Sequence, residues 1–186
     1  GVEAVTVLEL DPAVVKLGRF HPALVKANRH AFDDPRVTVQ FGDAFQAARD
    51  LPKPFDVIIA DFPDPDRDVL AKLYSDGFYR MLRSHLSPTG AMVTQASSPY
   101  FAPKAFASVA ETLAAAGFLT YPYRADVPSF GPWGFVLATN QAIAPNRLKI
   151  PIESQFLTPA LLPGLFNLPK DEQWEPGSVE INRLSP

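Results

Sequence analysis

The chain has no cysteine, which excludes disulfides and thiolate metal sites. Its three histidines, His21, His30 and His85, show no metal-ligand spacing, so no metal site is expected. No apolar run approaches the roughly 18 residues that a bilayer span requires, so no membrane contact is expected within this segment. Basic residues nowhere form a stripe or a run. With 17 Lys and Arg against 20 Asp and Glu, the net charge is −3, which argues against a nucleic-acid surface and favours a cationic ligand. There is no internal repeat and no low-complexity tract. The chain also lacks an initial Met and a signal peptide and leads almost directly into a strand, as expected of a segment cut from something longer. What is present is enough for one main domain: 186 residues, 47% of them hydrophobic. That domain is expected at residues 1–143, followed by a Pro-rich tail at 144–186 that docks on it.

The stretch FDVIIADFPDP, residues 55 to 65, organises the rest. Phe55 to Ala60 is an apolar, β-branched run without polar alternation, the pattern of a central strand covered on both faces. It delivers Asp61 to its own carboxyl end and Asp64 into the loop beyond. In open α/β sheets ligands bind outside the carboxyl ends of the strands, so Asp61 points at the expected site. Pro63 and Pro65 fix φ and stiffen that loop. Taken alone, Asp61 fits a strand-ending turn residue as well as a functional one.

Other acids recur at similar places. Val5 to Leu10 is the first expected strand and carries Glu9 at its end; Asp11 and Pro12 then signal a helix start, which Pro22 limits to about Phe20. A short helix is expected from Ala23 to Asn28, a turn at Asp33 to Pro35, and a strand from Val37 to Phe41, with Asp43 opening a helix to about Asp50. A lone strand-ending Asp is more often an N-cap than a ligand. Ser75 caps a helix with Phe78, Met81, Leu82 and Leu86 on one face. A strand from Ala91 to Ala96 follows, with Gln95 near its end. The next helix runs from about Pro103 to Gly117, with Phe106, Val109, Ala110 and Leu113 inward. Leu119 to Val127 and Gly134 to Asn140 form an expected antiparallel pair. Seven of the 20 prolines fall from Pro145 onward, leaving Thr158 to Phe166 as the one short helix candidate in the tail.

This alternation predicts an α/β fold: a Rossmann-like, doubly wound, mostly parallel sheet with an antiparallel C-terminal strand pair, and acids lining one rim. An acid such as Glu9 is placed to accept two hydrogen bonds from a ribose diol. Carboxylates at 61 and 64 attract an amine cation, and one of them takes its proton as the nitrogen becomes a nucleophile.

Seven segments then carry a resemblance: LELDP at 8 to 12, DDPRV at 33 to 37, GDAF at 42 to 45, FDVIIADFPDP at 55 to 65, FY at 78 and 79, VTQASSPYF at 93 to 101 and PSFGPWGF at 128 to 135. Together and in this order they resemble the polyamine aminopropyltransferases, the spermidine synthase family, over roughly residues 1 to 140. DFPDP followed by KLY at 72 to 74, and VEINRL at 179 to 184, are similar to a bacterial subgroup in which this domain follows several transmembrane helices. The resemblance implies a methyltransferase-like fold. It implies aminopropyl transfer from decarboxylated S-adenosylmethionine, as co-substrate without metal or other cofactor, to putrescine, giving spermidine and methylthioadenosine. It implies a homo-oligomer working in the cytoplasm, or on the cytoplasmic side of the inner membrane where the full-length protein is anchored there.

Carried over residue by residue, the resemblance assigns Glu9 to the ribose, and Asp43 with Ala44 to the adenine. Asp61 orients and deprotonates the amine, Asp64 lies in a loop that closes over it, and Gln95 sits on the polyamine side. Phe130 stands on the substrate side where the family more usually has tyrosine, and DFPDP lacks the hydroxyl residues common between the two acids. The family's Gly-rich donor-binding turn, one strand before LELDP, is not in this chain, so this segment alone is expected to be inactive. A generic methyltransferase, which needs Glu9 and Asp43 but not the paired acids, and a non-catalytic Rossmann-like module are the alternative readings.

Overall fold

The computed structural model describes residues 1–51, 54–65 and 67–184. The chain divides into two compact units, Gly1–Leu51 and Pro52–Pro186.

In the first unit β1 (Val5–Glu9) runs parallel to β2 (Val37–Phe41), in register from Val5 opposite Val37 to Glu9 opposite Phe41. The connection is helical, as parallel strands require. Helix α1 (Pro12–Phe20) starts where its cap chemistry dictates: Asp11 is extended and its side chain accepts from the Ala13 amide at 2.8 Å. It stops at His21, and Pro22 opens α2 (Pro22–Asn28). Gly18 is needed for packing, since a Cβ there would lie 2.6 Å from the Phe32 ring. After β2, Gly42 at φ +151° turns the chain into α3 (Ala44–Ala47) and a 3-10 turn at Ala48–Asp50.

The second unit holds β3 (Phe55–Ala60), α4 (Asp68–Ala71), a 3-10 turn at Lys72–Tyr74, α5 (Asp76–His85), β4 (Leu86–Gln95), α6 (Pro103–Ala115), β5 (Leu119–Val127) and β6 (Gly131–Thr139). Its sheet has the order β3-β4-β6-β5, with β3 and β4 parallel and the other pairs antiparallel. The C-terminal pair is therefore antiparallel as its short link dictates, and β6 is its inner strand. Ser75 caps α5 by accepting from the Phe78 amide at 3.3 Å. Phe78 and Leu82 from α5, and Phe106, Val109, Ala110 and Leu113 from α6, are buried with Met92, Val136 and Ala138 from the sheet.

Three expectations are corrected here. Strand β4 begins at Leu86, which pairs with Phe55, five residues before Ala91, and the expected turn residues Ser87 to Gly90 form a bulge between Leu86 and Ala91, opposite Asp56 alone. The close approach needs Gly90, where a Cβ would meet the Asp56 carbonyl at 3.0 Å, and Ser87 Oγ donates to Asp56 Oδ1 at 3.1 Å. Strand β6 begins at Gly131 rather than Gly134, since residues 131 to 133 pair with 125 to 127. The third concerns β3, which is an edge strand of its sheet, with Val57 and Ile59 61% and 73% exposed. Its apolar run has the composition of a strand covered on both faces, while β4 is the strand that pairs with it.

In the tail the only helical piece within 158–166 is a 3-10 turn at Leu162–Phe166. Leu162 is buried and the Phe166 ring lies 5.2 Å from that of Tyr123. Arg124 pairs with the buried Glu172, and Trp174 packs edge-on to Phe106 while donating to Glu111 at 3.0 Å.

Further on, the buried Asp76 carboxylate accepts from the Leu184 amide at 3.2 Å and from Arg80 at 2.9 Å. Burial alone raises its pKa, but these hydrogen bonds outweigh it and hold the carboxyl below its ordinary value. A depressed carboxyl contributes stability above its unfolded value, near about 3.9, and loses it as pH falls through the folded value. Denaturation midpoints are therefore expected to drop on acidification below about pH 4, and Asp76→Asn is expected to flatten that drop. An unchanged pH profile in Asp76→Asn would refute this.

Candidate active site

The parallel register that sets Ala60 opposite Thr94 brings Asp61 and Gln95 to the same carboxyl edge of β3 and β4. Asp61 is exposed there and, among the described residues, makes no hydrogen bond. Asp64, three residues on, is half-buried and held by both oxygens. Oδ1 accepts from Gln95 Nε2 at 3.1 Å and Oδ2 from Ser97 Oγ at 3.3 Å. The loop is thus pinned at its second acid and open at its first.

Gln95 is the hub of this arrangement. Its Nε2 also donates to the Phe62 carbonyl at 2.8 Å and to the Tyr74 hydroxyl. Its Oε1 accepts from the Ser97 amide at 2.9 Å and from Trp133 Nε1 at 3.2 Å. Both ends of the side chain are engaged by protein, so Gln95 fixes Asp64 rather than standing free in the crevice. Ser97 reaches its position at φ +63°, a conformation sparsely used by residues with a Cβ.

Tyr74 holds the loop from beneath. Its hydroxyl donates to the carbonyls of Phe62 and Pro63 at 3.0 and 3.1 Å, and the Phe62 ring packs edge-on to Tyr74 and Phe78. Burial pushes the phenol well above its ordinary pKa. The Gln95 hydrogen bond opposes this and the charges of Asp64 and Asp61 add to it. It therefore remains a donor throughout the physiological range.

Phe130 lies in the turn between β5 and β6, 60% exposed, its ring 5.2 Å from that of Trp133. Trp133 in turn touches Gln95, so the aromatic turn and the acid loop meet through one amide.

In the first unit Glu9 ends β1 and its Oε1 accepts from the Asp11 amide at 2.9 Å. Asp43 is the N-cap of α3, accepting from the Phe45 amide at 2.8 Å, and Ala44 is the first helical residue. Each acid thus bonds a backbone amide two residues on, and the Glu9 carboxylate retains acceptor capacity beyond that one bond. Glu9, Asp43 and Ala44 belong to one unit and Asp61, Asp64, Gln95 and Phe130 to the other.

Tyr74, Ser97 and Trp133 were not singled out as site residues by the sequence reading, although all three stand inside its quoted motifs. Among the described residues no group of three or more His, Asp or Glu comes together as a metal site, and no helix is long and apolar enough to cross a membrane.

Comparison with known proteins identifies the family and the fold. The family model described as Spermine/spermidine synthase domain matches residues 1–148. The chain is 44% identical over 187 residues to polyamine aminopropyltransferase 2 of Ralstonia nicotianae, covering 99% of this chain and 36% of that protein. It spans about a third of the length of the curated relatives it matches. In fold it is similar to a spermidine synthase solved in complex with the transition-state analogue AdoDATO, with a TM-score of 0.77 at 23% identity over 90% of this chain and 59% of that one. A weaker likeness, TM-score 0.53 at 16% identity over 75% of this chain and 62% of the other, is to a putative O-methyltransferase from Klebsiella pneumoniae. With four-fifths of its length matched by that one family model, the chain belongs to the spermine/spermidine synthase family.

Proposed function

We propose that the chain is the catalytic part of a polyamine aminopropyltransferase, which transfers an aminopropyl group from decarboxylated S-adenosylmethionine to putrescine and releases spermidine and methylthioadenosine. The observation that carries this reading is the acid pair: Asp61 exposed at the carboxyl end of β3, and Asp64 clamped three residues later by Gln95 and Ser97. Family membership and the name shared by the curated relatives support it.

The chemistry asks for such a pair. A primary alkylammonium, like Lys, has a pKa near about 10.4, so at neutral pH almost no acceptor carries a free lone pair. Asp61 takes the proton. The nitrogen then forms a bond to the aminopropyl carbon attached to the sulfonium, the carbon–sulfur bond breaks, and its electron pair stays on sulfur as a neutral thioether. Asp64 holds the cationic substrate, Gln95 acts on the substrate side by fixing Asp64, and Phe130 supplies an apolar surface for the methylene chain. Glu9 accepts from the ribose, and Asp43 with Ala44 serves the adenine. The reaction needs no metal and no cofactor besides the co-substrate.

Within this reading the domain works in the cytoplasm as a homo-oligomer. The DFPDP and VEINRL segments, similar to those of the membrane-anchored subgroup, support attachment of the full-length protein to the inner membrane. The test is product identity. Full-length enzyme with putrescine and decarboxylated S-adenosylmethionine is expected to yield spermidine and methylthioadenosine in equal amounts by mass spectrometry. Formation of S-adenosylhomocysteine from S-adenosylmethionine, without aminopropyl transfer, would replace this reading by a methyltransferase.

A further inference from the structure

The 3-10 turn at Lys72–Tyr74 is three residues long, yet it carries the phenol that holds the acid loop. A single turn of this kind has little rigidity of its own. Its two ends are joined by one residue from the far end of the chain. Asn182 Nδ2 donates to the Ala71 carbonyl at 2.8 Å, just before the turn, and the Asn182 carbonyl accepts from the Asp76 amide at 2.9 Å, just after it.

The residue that makes this bracket is itself anchored on α6. The Asn182 amide donates to Thr112 Oγ1 at 3.0 Å, and Ser108 Oγ donates to the Glu180 carbonyl at 2.7 Å. The Leu184 amide donates to Asp76 Oδ1, and the Leu184 side chain covers Gly77, where a Cβ would come within 3.3 Å of it. Thr112 and Asp76 are buried, so these bonds form where water does not replace them cheaply.

We propose that residues 180–184 form a strap that positions the acid loop through Tyr74, with Asn182 as its positioning residue. The path is continuous: α6 holds Asn182, Asn182 holds both ends of the turn, the turn aims Tyr74, and Tyr74 holds the carbonyls of Phe62 and Pro63 between the two acids. Asn182 touches no reacting group. It acts on amine binding, not on the nucleoside, because the loop it steadies carries the amine-side acids. This inference rests on the aminopropyltransferase reading for its substrate, but the positional claim does not.

A double-mutant cycle in the full-length enzyme tests it. Asn182→Ala is expected to raise KM for putrescine about 5- to 10-fold, the size of one net hydrogen bond, with methylthioadenosine affinity unchanged within about two-fold. Asn182→Gln, which keeps the amide on a longer arm, is expected to recover part of that loss. In a Tyr74→Phe background Asn182→Ala is expected to add less than about two-fold, because the path is already cut. Independent, multiplying effects would overturn the proposal, as would an unchanged KM. Hydrogen exchange, which needs no turnover, gives a second readout: Asn182→Ala, or Asn182→Ser where Ala prevents folding, is expected to accelerate exchange in 61–75 and not in α6. Uniform acceleration across both segments would mean a general loss of stability and sink the strap. A wild-type enzyme that transfers no aminopropyl group would refute the functional reading while leaving the exchange result to decide this one.

Discussion

Asp61→Asn in the full-length enzyme is expected to lower turnover with putrescine by on the order of 10²-fold or more, as loss of a general base does. Methylthioadenosine binding is expected to stay within about two-fold of wild type, since the proposed nucleoside contacts come from other residues. Two structural differences between the acids support the proposed role. Asp61 follows directly on the rigid end of β3 and is exposed, without a hydrogen-bond partner among the described residues. Both oxygens of Asp64 already accept from side chains, and its loop is further tied by Tyr74 and Gln95. A carboxylate held in this way suits fixing a cation rather than receiving its proton. Steady-state rates alongside equilibrium binding separate the effects. Turnover within a few-fold of wild type for Asp61→Asn, or a larger loss for Asp64→Asn, would reverse the assignment.

The second large effect is expected from a single methyl group. Gly134 in β6 donates to the Ser97 carbonyl at 2.7 Å and accepts from the Ala96 amide at 2.8 Å. A Cβ there would lie 2.5 Å from the Phe106 ring and 2.8 Å from the Ser97 carbonyl oxygen. The ring is fully buried and packed against Trp174, so it has nowhere to swing. Gly134→Ala is expected to destabilise the protein by about 1–3 kcal/mol, the usual cost of overpacking. It is also expected to raise KM for the amine, because Ser97 is the residue displaced and its hydroxyl holds Asp64. Denaturant midpoints with an unchanged slope, and KM measured below the transition, would show both effects. An unaltered midpoint would mean the strands separate more easily than their hydrogen bonding suggests.

What the sequence made legible was mostly local. Asp11, Asp43 and Ser75 cap the helices that follow them, because a short polar side chain and the two or three amides beyond it are all that a cap requires. The inward residues of α6 follow from its period alone. Contacts across long sequence separations were not legible in the same way. Nothing in LSPTG states that Leu86 pairs with Phe55 or that Gly90 lies beside Asp56, and that proximity places the expected turn as a bulge inside β4. Gln95 was readable as a strand-end polar residue, but its distant partners lie 21 to 38 positions away in three different segments. The Asn182 bonds to Ala71 and Thr112 span 111 and 70 residues. A motif names the residues of a site more readily than the supports beneath them.

Strand β3 has a bearing on handling of the chain as well as on catalysis. It is the terminal strand of its four-stranded sheet and carries exposed apolar side chains at Val57 and Ile59, the composition that favours edge-to-edge pairing. The same stretch carries its own guards: Pro54 and Pro63 flank it, and Asp56 and Asp61 place negative charge near each end. Charges and prolines so placed oppose edge-to-edge growth by repulsion and by breaking the hydrogen-bond ladder. Neutralising Asp61 removes one of these charges and so weakens the repulsion that opposes such pairing.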